Sequence, residues 1–593
     1  MCGILVTVFG IGVEGPRGVN DAEEVEERGE RGDAGDGIPS CSHLEPDDED
    51  ASGVLEYGGY LGMLGRRGPD GVGAARVEVA RGGKGTKVYY SSPGDSSLAN
   101  WLSVPPRDGP EVTLVGSLLQ MRGSAPSAQP LVAADGSVLL FNGEIFGGSL
   151  AVDEGANDGA VLLAALVDDG NADVPTTMSR IRGPWAFAFW QPEAQRLWYG
   201  RDVMGRRSLL WRGGKHRSDP FVLASSLPDS ADLPTGWAEV PPGIFSHRVA
   251  SGPVAQCERH AWTEDALKRI MTPPPRPVGG MSRESAASGL LRVLDEAVRR
   301  RAPTPGHLGV LFSGGLDSTV LAALADRHVP ADRPIELLNV CFDGGRSPDR
   351  ATARQSVEEL SRLCPGRVWR LVEVDGDFAK DMVATEPYIR QLLCPSCTIM
   401  DQSIGVALWL AAGGHGRATD LRGERKEEVG GGYRASSRAL LCGMGADEQL
   451  AGYARHRTVF EHGGPAALDA ELRMDFLRLH ARNLGRDDRL IADRGREARF
   501  PYLDEDVIDF HWSIPLGILC DLSTPRGDGD KRVLRDCARL LGLAGCAAFP
   551  KRAIQFGTRI ARQSNVHTFG SNSRANKLNA GSRHVVSDDL PPT

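Results

Sequence analysis

The second residue of the chain is a cysteine, in the opening run Met1-Cys2-Gly3-Ile4. Removal of Met1 would leave Cys2 with both a thiol and a free α-amine. An α-amine has an ordinary pKa of about 8 and can take up the thiol proton, so that one residue supplies nucleophile and base. This arrangement predicts that Cys2 is a nucleophile.

Two further segments carry groups suited to an amino acid with a side-chain amide. Arg67, in the run RRGPDG, can hold a carboxylate with two parallel hydrogen bonds. Asn142 and the N–H of Gly143, directly after VLLF, make a candidate oxyanion hole. Glu144 and Asp158 can hold an α-ammonium group, although either one alone could also be an ordinary surface carboxylate.

A glycine-rich loop lies between the apolar run LGVLF and the helical run VLAALADR. Its glycines allow backbone N–H groups to point at an anion, and the helix N-terminus that follows favours negative charge. Asp317 would repel a bare phosphate, so we expect it to hold Mg²⁺. No GK[ST] follows, so the loop is not a Walker A loop. The residues predicted to form this phosphate site are Ser313, Gly314, Gly315, Asp317 and Ser318.

The elements that must position these residues differ between the two halves of the chain. The first half has short apolar runs bounded by turn residues, which predict stacked antiparallel sheets, with a helix over 158–168. The predicted strands are 112–116, 138–141, 185–190, 197–200 and 221–224.

After the run TPPPRPVGG, predicted strands over 308–312, 335–342 and 439–442 alternate with helical segments. This order predicts a parallel α/β sheet, in which ligands bind at the carboxyl ends of the strands. Leu311 and Val340 lie at two such ends and are either adenine contacts or ordinary core residues.

The runs MCGI, RRGPDG and FNGE resemble the class II glutamine amidotransferase domain, an N-terminal-nucleophile hydrolase. The resemblance implies an αββα sandwich that hydrolyses glutamine. It also implies the following roles: Cys2 as nucleophile, Arg67 on the glutamine carboxylate, Asn142 and Gly143 as oxyanion hole, and Glu144 and Asp158 on the amine. GRDVMGRRSLL, residues 200–210, is similar to a segment of asparagine synthetases.

SGGLDS resembles the pyrophosphate loop of ATP pyrophosphatases, which implies a Rossmann-like α/β domain that adenylates a substrate. GMGADE, at 443–448, is similar to the GEGSDE segment of asparagine synthetases. That likeness implies Gly443 in ATP binding and Asp447 as a second Mg²⁺ ligand facing Asp317.

The basic residues of the synthetase family are harder to align. Lys551 and Arg552 lie where the family carries a lysine that neutralises phosphate charge, but the best register places Ala553 at the lysine position. Lys531 matches the family's lysine before its penultimate helix. The residue that contacts phosphate is thus left open, with Lys551 as the prediction.

One position departs from the family pattern. Where GEGSDE has its first glutamate, which assists proton transfer in the family, this chain has Met444. A thioether does not accept a proton at neutral pH. Either another base such as Glu448 substitutes, or the domain binds ATP without making asparagine.

The resemblance covers most of the chain outside a few insertions and implies a multi-domain α/β protein. The predicted organisation is a glutamine amidotransferase domain over 1–260 with an insertion at about 20–53, a linker over 261–281, a synthetase domain over 282–563 with an insertion at about 414–432, and a disordered tail over 564–593.

Composition narrows the class of function. The 593 residues carry a formal net charge of -10, which argues against nucleic acid or an anionic membrane as main partner. No apolar run reaches membrane-spanning length and no secretory signal is apparent, so we expect a cytoplasmic protein. The single CxxC, Cys394 to Cys397, has no second pair to complete a zinc site.

These observations predict a glutamine-hydrolysing, asparagine synthetase-like ligase that uses ATP and Mg²⁺. The expected substrates are glutamine, ATP and, by analogy, aspartate, whose carboxylate would be amidated through an acyl-adenylate. The alternative is a glutaminase or regulatory relic whose synthetase domain no longer makes asparagine. The oligomeric state is open, a homodimer being one option.

Overall fold

The computed structural model divides the chain into two compact units. The first unit comprises Met1–Lys268, Arg390–Ser396 and His480–Gly495, and the second comprises Arg269–Ile389, Cys397–Leu479 and Arg496–Thr593. The structure describes residues 2–9, 12–13, 15–16, 57–79, 86–91, 96–104, 110–122, 127–150, 152–153, 155–167, 173–214, 220–230, 235–249, 254–302, 306–395, 398–569 and 571.

The strands of the first unit are short and rich in aromatic and β-branched residues. They are β1 (Cys2–Phe9), β2 (Gly12–Val13), β3 (Gly71–Glu78), β4 (Thr86–Ser91), β5 (Glu111–Leu118), β6 (Leu131–Val132), β7 (Val138–Gly143), β8 (Gly147–Gly148), β9 (Ile181–Arg182), β10 (Trp185–Gln191), β11 (Arg196–Arg201), β12 (Leu210–Arg212), β13 (Phe221–Ala224), β14 (Ala238–Glu239), β15 (Gly243–Arg248), β16 (Val254–Ala255) and β17 (Cys257–His260).

Two antiparallel sheets contain thirteen of these strands, and β2 with β16 and β8 with β9 form two small pairs. One has the order β14-β12-β13-β1-β5-β3-β4 and the other the order β17-β15-β11-β10-β7-β6. Strand alternation explains how they stack, because Ile4 and Val6 of β1 share a buried cluster with Leu140 of β7 and Ala188 of β10. Leu5, between them in sequence, points to the opposite face and packs with Leu64 of a helix.

The strands of the second unit form one seven-stranded sheet with the order β22-β21-β20-β19-β18-β23-β24. The five neighbouring strands β20, β19, β18, β23 and β24 pair in parallel. The hairpin of β21 and β22 adds to the edge at β20 in antiparallel orientation. The strands are β18 (Leu308–Leu311), β19 (Ile335–Cys341), β20 (Trp369–Asp375), β21 (His415–Arg422), β22 (Arg425–Arg434), β23 (Ala439–Leu441) and β24 (Glu497–Arg499).

Helices cover the sheets of both units. They are α1 (Tyr57–Arg67), α2 (Ser96–Leu102), α3 (Asp158–Val167), α4 (Val174–Ser179), α5 (Asp265–Met271), α6 (Arg283–Arg301), α7 (Leu316–Asp326), α8 (Pro348–Leu363), α9 (Glu386–Leu393), α10 (Ile399–Gly413), α11 (Ala446–Gln449), α12 (Ala454–Leu479), α13 (Gly485–Ala492), α14 (Glu505–Trp512), α15 (Leu516–Leu519), α16 (Arg532–Leu540), α17 (Ile554–Gly557) and α18 (Ile560–Phe569). Within the described residues, no helix is long and apolar enough to cross a membrane.

All eight predicted strands and the predicted helix are confirmed within one or two residues at each end. Residues 414–432, predicted as an insertion, form most of the β21–β22 hairpin. Helix α5 lies within the predicted linker, and α18 runs past the predicted start of the tail at 564. The insertion at about 20–53 and residues 572–593 lie outside the described residues.

Candidate functional site

The predicted nucleophile opens strand β1 of the first unit. Cys2 pairs in register with Leu118 of β5, and its thiol lies outside what the structure describes. Two hydroxyls hold the following backbone, because Ser117 Oγ accepts from Gly3 N at 2.9 Å and Ser225 Oγ accepts from Ile4 N at 2.9 Å. The start of β1 is therefore fixed from both neighbouring strands.

The RRGPDG run passes beside the same strand end. Pro69 makes a β-bridge with Leu118, and Asp70 N donates to Leu118 O at 2.9 Å. Arg67, the last residue of α1, is 1% exposed. Leu118 thus links the predicted carboxylate-binding segment to Cys2, with which it pairs.

The predicted oxyanion hole lies at the end of β7. Asn142 is fully buried and pairs with Ala186, and Gly143 pairs with Trp185. A Cβ on Gly143 would lie 2.6 Å from Pro184 O, so any larger residue would push this strand end out of place. The tight fit explains why the position is a glycine.

The structure brings Glu144 and Asp158 together around a third residue. Arg122 Nε lies 3.5 Å from Glu144 Oε1 and 3.7 Å from Asp158 Oδ1. Both carboxylates are buried, and Asp158 Oδ2 also accepts from Ile145 N at 2.6 Å. The pair predicted to hold an ammonium group therefore faces the cationic Arg122, which the motifs did not single out.

The segment GRDVMGRR makes hydrogen bonds to the strand that pairs with the candidate oxyanion hole. Asp202 Oδ2 accepts from Trp185 N at 3.0 Å, and Asp202 Oδ1 accepts from Arg206 Nε at 2.9 Å. Because Trp185 pairs with Gly143, Asp202 supports the strand opposite the candidate oxyanion hole.

In the second unit, the SGGLDS loop connects β18 to α7. Gly314 has φ +73°, and a Cβ there would lie 2.4 Å from the backbone of Ala353. Gly315 is the N-cap of α7, and its carbonyl accepts from Thr319 Oγ1 at 2.8 Å. A residue with a side chain at position 314 would clash and be strained, so the turn requires glycine.

A second loop lies beside the first, because β23 pairs with β18 in parallel and both strands end at the same edge. A Cβ on Gly443 would lie 3.1 Å from Asp317 Cβ, which shows how closely the GMGADE segment approaches the SGGLDS loop. The predicted metal ligands Asp317 and Asp447 lie directly after these loops, in the first turns of α7 and α11.

Two lysines connect the two aspartates. Lys531 Nζ lies 2.6 Å from Asp317 Oδ2 and 2.6 Å from Asp447 Oδ1. Lys551 Nζ lies 2.5 Å from Asp447 Oδ2. The structure thus places Lys531 between the two aspartates, and Lys551 reaches Asp447 despite the loose register of its segment.

The backbone at Lys531 is unusual for a residue with a side chain. Its φ is 53° and its ψ 33°, in the left-handed region, and its N–H donates to Leu450 O at 3.0 Å. Residues in this conformation cluster at functional sites, where surrounding structure offsets the strain. The side chain of Lys531 is 2% exposed, so the ammonium is directed at the carboxylates.

Two opposing effects set the pKa values in this cluster, namely burial and the nearby opposite charges. Burial acts to raise the pKa of Asp447, but Lys531 and Lys551 outweigh it and bring that pKa below its ordinary value. Burial acts in the opposite sense on Lys551, whose pKa is raised because Asp447 and Asp317 lie close. Asp447 and Lys551 are thus both charged at neutral pH.

Glu448, the residue after Asp447, has a pKa shifted in the opposite direction. It is 4% exposed, and its Oε1 accepts from Tyr453 Oη at 2.5 Å. Burial and the neighbouring Asp447 raise the pKa of Glu448 to about 7. Met444, at the position of the family glutamate, is partly exposed.

A cleft with an empty volume of about 430 Å³ opens beside these loops. Its lining combines the phosphate loop with two basic segments, and Asp349 on α8 supplies a further carboxylate that is 5% exposed. Burial raises the pKa of Asp349 to about 7, and Lys551 and Arg552 offset only part of that rise. The lining residues are Ser313, Gly315, Leu316, Asp317, Asp349, Thr352, Lys531, Arg535, Phe549, Pro550, Lys551 and Arg552.

The remaining predicted ATP contacts lie around this cleft without lining it. Leu311 and Val340 occupy the carboxyl ends of the neighbouring strands β18 and β19, with Val340 5% exposed. Ser318 Oγ donates to Gly315 O at 3.3 Å. Both readings of Leu311 and Val340, adenine contact or core, are compatible with these positions.

Sequence motifs do not indicate the roles of three residues at the two sites. Arg122 lies in a run without a distinctive pattern, and Asp349 lies in the run PDR, to which the sequence assigns no role. Asp488, whose Oδ2 accepts from Arg67 Nη2 at 2.9 Å, is more than four hundred residues away in sequence. Among the described residues, no group of three or more His, Cys, Asp or Glu is arranged to hold a metal ion, and Cys397 of the CxxC lies outside them.

Comparison with known proteins finds a family model for each of the two parts of the chain. A glutamine amidotransferase domain model matches residues 117–229, and an asparagine synthase model matches residues 289–362 and 432–558. Among solved structures, a glutamine aminotransferase class-II domain protein from Silicibacter pomeroyi covers 32% of this chain and 92% of its own at 15% identity, but its TM-score of 0.20 is too low to carry an argument.

The two family models place the chain in the glutamine-dependent amidotransferase family. Asparagine synthetase domain-containing protein 1 of Gallus gallus is 33% identical over 75% of this chain and 89% of its own, and that of Homo sapiens is 31% identical over 76% and 88%. The chain belongs to the family of asparagine synthetase domain-containing protein 1. The glutamine-hydrolysing asparagine synthetase of Mus musculus is 25% identical over 64% of this chain and 63% of its own.

Proposed function

We propose that the protein is a cytoplasmic ligase that transfers ammonia from glutamine to a carboxylate activated by ATP. The carrying observation is the cluster in which Lys531 and Lys551 meet Asp317 and Asp447 beside the SGGLDS loop. Fixed charges of both signs at the carboxyl edge of a parallel sheet suit a polyphosphate with its metal ion.

The first step of the proposal is glutamine hydrolysis in the first unit, which would be an N-terminal-nucleophile hydrolase. The Cys2 thiolate attacks the glutamine amide carbon, and its α-amine takes the proton and delivers it to the departing ammonia. Asn142 and Gly143 stabilise the oxyanion, Arg67 binds the carboxylate, and Glu144 with Asp158 binds the amine. Water then releases glutamate from the thioester.

The second step takes place in the second unit, which would be a Rossmann-like ATP pyrophosphatase. A carboxylate of the acceptor, aspartate by family analogy, attacks the α-phosphate of ATP in the cleft. Backbone N–H groups of residues 313–318 hold the departing pyrophosphate, and Lys551 balances its charge. Ammonia attacks the acyl-adenylate and gives an amide and AMP.

The residues present fit a magnesium ion. Asp317 and Asp447 offer hard carboxylate oxygens, and Lys531 already places one positive charge against both of them. Two carboxylates match Mg²⁺, which usually keeps waters and substrate phosphates among its ligands instead of entering an all-protein cage. When bound, the ion would offset negative charge on the phosphates.

The experiment that tests this proposal supplies aspartate, glutamine and Mg-ATP and measures asparagine, glutamate and AMP in one tube by mass spectrometry. Equal amounts of asparagine and AMP support the ligase with aspartate as acceptor. If AMP formed only with another carboxylate, the proposed ligase activity would stand and that carboxylate would be the acceptor instead of aspartate. Absence of AMP with every carboxylate would refute the ATP-dependent step.

Met444 favours a second candidate, a glutaminase whose synthetase domain binds ATP but does not make asparagine. No proton acceptor stands at this position to assist amination of an acyl-adenylate. Under this candidate, glutamate forms at the same rate with and without ATP, and no AMP accumulates. The substitution Met444→Glu restores the family residue, and asparagine formed by that variant alone would support the candidate.

A further inference from the structure

Arg67 is held by an acidic residue that reaches it from far along the chain. Arg67 Nη2 donates to Asp488 Oδ2 at 2.9 Å, and the two side chains are 1% and 0% exposed. A guanidinium taken out of water in this way requires a nearby negative charge. Asp488 supplies that charge from helix α13.

Asp488 is itself fixed by two other groups of the first unit. Ser208 N donates to Asp488 Oδ2 at 3.1 Å, and Arg207 Nη1 lies 3.3 Å from Asp488 Oδ1. The carboxylate is therefore shared between two buried guanidinium groups and one backbone N–H. Its position does not depend on Arg67 alone.

Helix α13 is anchored by the next residue, Arg489. Its Nε donates to Leu392 O at 2.6 Å, and its Nη1 donates to Ser208 Oγ and to Glu239 Oε1, both at 2.9 Å. Arg489 is 1% exposed. The helix that carries Asp488 is thus clamped within the first unit, although its residues follow α12 of the second unit in sequence.

An arginine has five N–H donors in a planar fork, so one edge can meet an internal carboxylate while another binds a ligand carboxylate. Fixing one edge also fixes the plane of the guanidinium, which preorganises the edge that would meet the ligand. For stability alone, well-packed apolar residues would serve at least as well as the buried pair of Arg67 and Asp488. A role of the pair in ligand binding explains why both charges are present.

We propose that Asp488 is a positioning residue that orients Arg67 for the carboxylate of glutamine, so that the glutamine site is completed by helix α13. This inference rests on the proposed function of Arg67. It predicts that glutamine recognition depends on residues that lie in sequence within the synthetase half of the chain.

The test follows covalent labelling of Cys2 in the full-length protein by 6-diazo-5-oxo-L-norleucine, a glutamine analogue with an electrophilic carbon in place of the amide. Iodoacetamide, which lacks the amino-acid groups, measures intrinsic thiol reactivity. In Asp488→Asn we expect the analogue concentration for half-maximal labelling rate to rise about tenfold or more, the effect of roughly one lost charged contact. The maximal labelling rate and the iodoacetamide rate should change less than about twofold.

The same segment provides a matched control. Asp493 Oδ1 accepts from Arg66 Nε at 2.7 Å, next to Arg67 in sequence, and Arg66 keeps a second carboxylate partner in Asp229. Asp493→Asn should label like the unmodified protein. If it weakened the analogue as strongly as Asp488→Asn, the effect would be a general loosening of the segment and the inference would fail.

A second variant guards against misfolding, because Asp488→Asn leaves two buried guanidinium groups without their shared carboxylate. The double variant Asp488→Asn/Arg207→Gln removes one charge of each sign, and it should show the same selective loss of analogue binding.

Unchanged analogue binding in both variants would overturn the inference, as would tighter binding, which would mean that Asp488 competes with the ligand. Iodoacetamide labelling of the unmodified protein without any labelling by the analogue would instead refute the glutamine site itself, and the inference with it.

Discussion

Lys531 places its ammonium 2.7 Å from Oδ1 and 2.6 Å from Oδ2 of Asp317, so that both oxygens of one carboxylate meet one cation. The lysine comes from a loop before α16 and the aspartate from the first turn of α7. A carboxylate that would hold a metal ion is thus already neutralised within the protein. Binding of Mg²⁺ and ATP would have to rearrange or share this contact.

Substituting this lysine should expose the cost of leaving two carboxylates together. Lys531→Met removes the ammonium between Asp317 and Asp447, and we expect the free energy of unfolding to fall by about 3–5 kcal/mol. Mg²⁺ should then raise the unfolding temperature of the variant more than that of the unmodified protein. The matched control is Lys268→Met, which breaks an exposed pair with Asp265 and should cost less than about 1 kcal/mol. Equal responses of the two variants would contradict the assignment of this cluster.

Loss of the thiol should separate the two half-reactions. Cys2→Ala should reduce glutamine-dependent amide formation by about a thousandfold or more, since the nucleophile is absent. Turnover with free ammonia should remain within about twofold, because ammonium salts bypass glutamine hydrolysis. Amide and glutamate are measured side by side with each nitrogen source. Loss of the ammonia-dependent reaction as well would show that Cys2 serves more than glutamine hydrolysis.

Removing Arg122 should improve the binding of glutamine. Its guanidinium lies at the two carboxylates predicted to bind the substrate amine, so it competes with that amine for the same charges. A partly exposed pair of this kind contributes up to about 1 kcal/mol, so Arg122→Ala should lower the KM for glutamine by up to about fivefold. Arg122→Lys keeps the charge and serves as control. A higher KM in the alanine variant would instead make Arg122 part of the binding site.

The stability of the protein should depend on pH through Asp349. Burial raises its pKa to about 7, so between pH 4 and pH 7 the folded state binds a proton that the unfolded state has lost. Stability therefore falls as pH rises through this range. Asp349→Asn removes the effect and should stabilise the protein by on the order of 4 kcal/mol at pH 8, but far less at pH 4.

Urea unfolding at several pH values measures this difference. The control is Asp509→Asn, at a side chain that is 68% exposed. A stabilisation by Asp349→Asn that does not vary with pH would show that its origin is not the buried charge.

Local patterns were sufficient to predict the strands that carry Asn142 and the SGGLDS loop. Their apolar runs are short, bounded by turn residues and followed directly by the polar groups of the site. Where β21 and β22 form a hairpin, the sequence predicts only an insertion, because this run is charged and rich in glycine. Its strands form because β21 pairs along β20, a contact that composition does not reveal.

The candidate sites depend on contacts that no local pattern encodes. Lys551 reaches Asp447 although its segment aligns poorly, since the position of its ammonium is set by the fold and not by register. Asp488 meets Arg67 across a separation of 421 residues. Arg122 lies beside Glu144 only because the end of β5 and the end of β7 approach each other in space.

Because α13 belongs to the first unit while following most of the second in sequence, the order of synthesis has a consequence for assembly. Domains of a nascent chain usually fold as they leave the ribosome, the N-terminal one first. Here the first unit lacks residues 390–396 and 480–495 until roughly four-fifths of the chain has been made. During that interval Arg67 has no Asp488, so the nascent N-terminal unit remains an unfinished intermediate that only late translation can close.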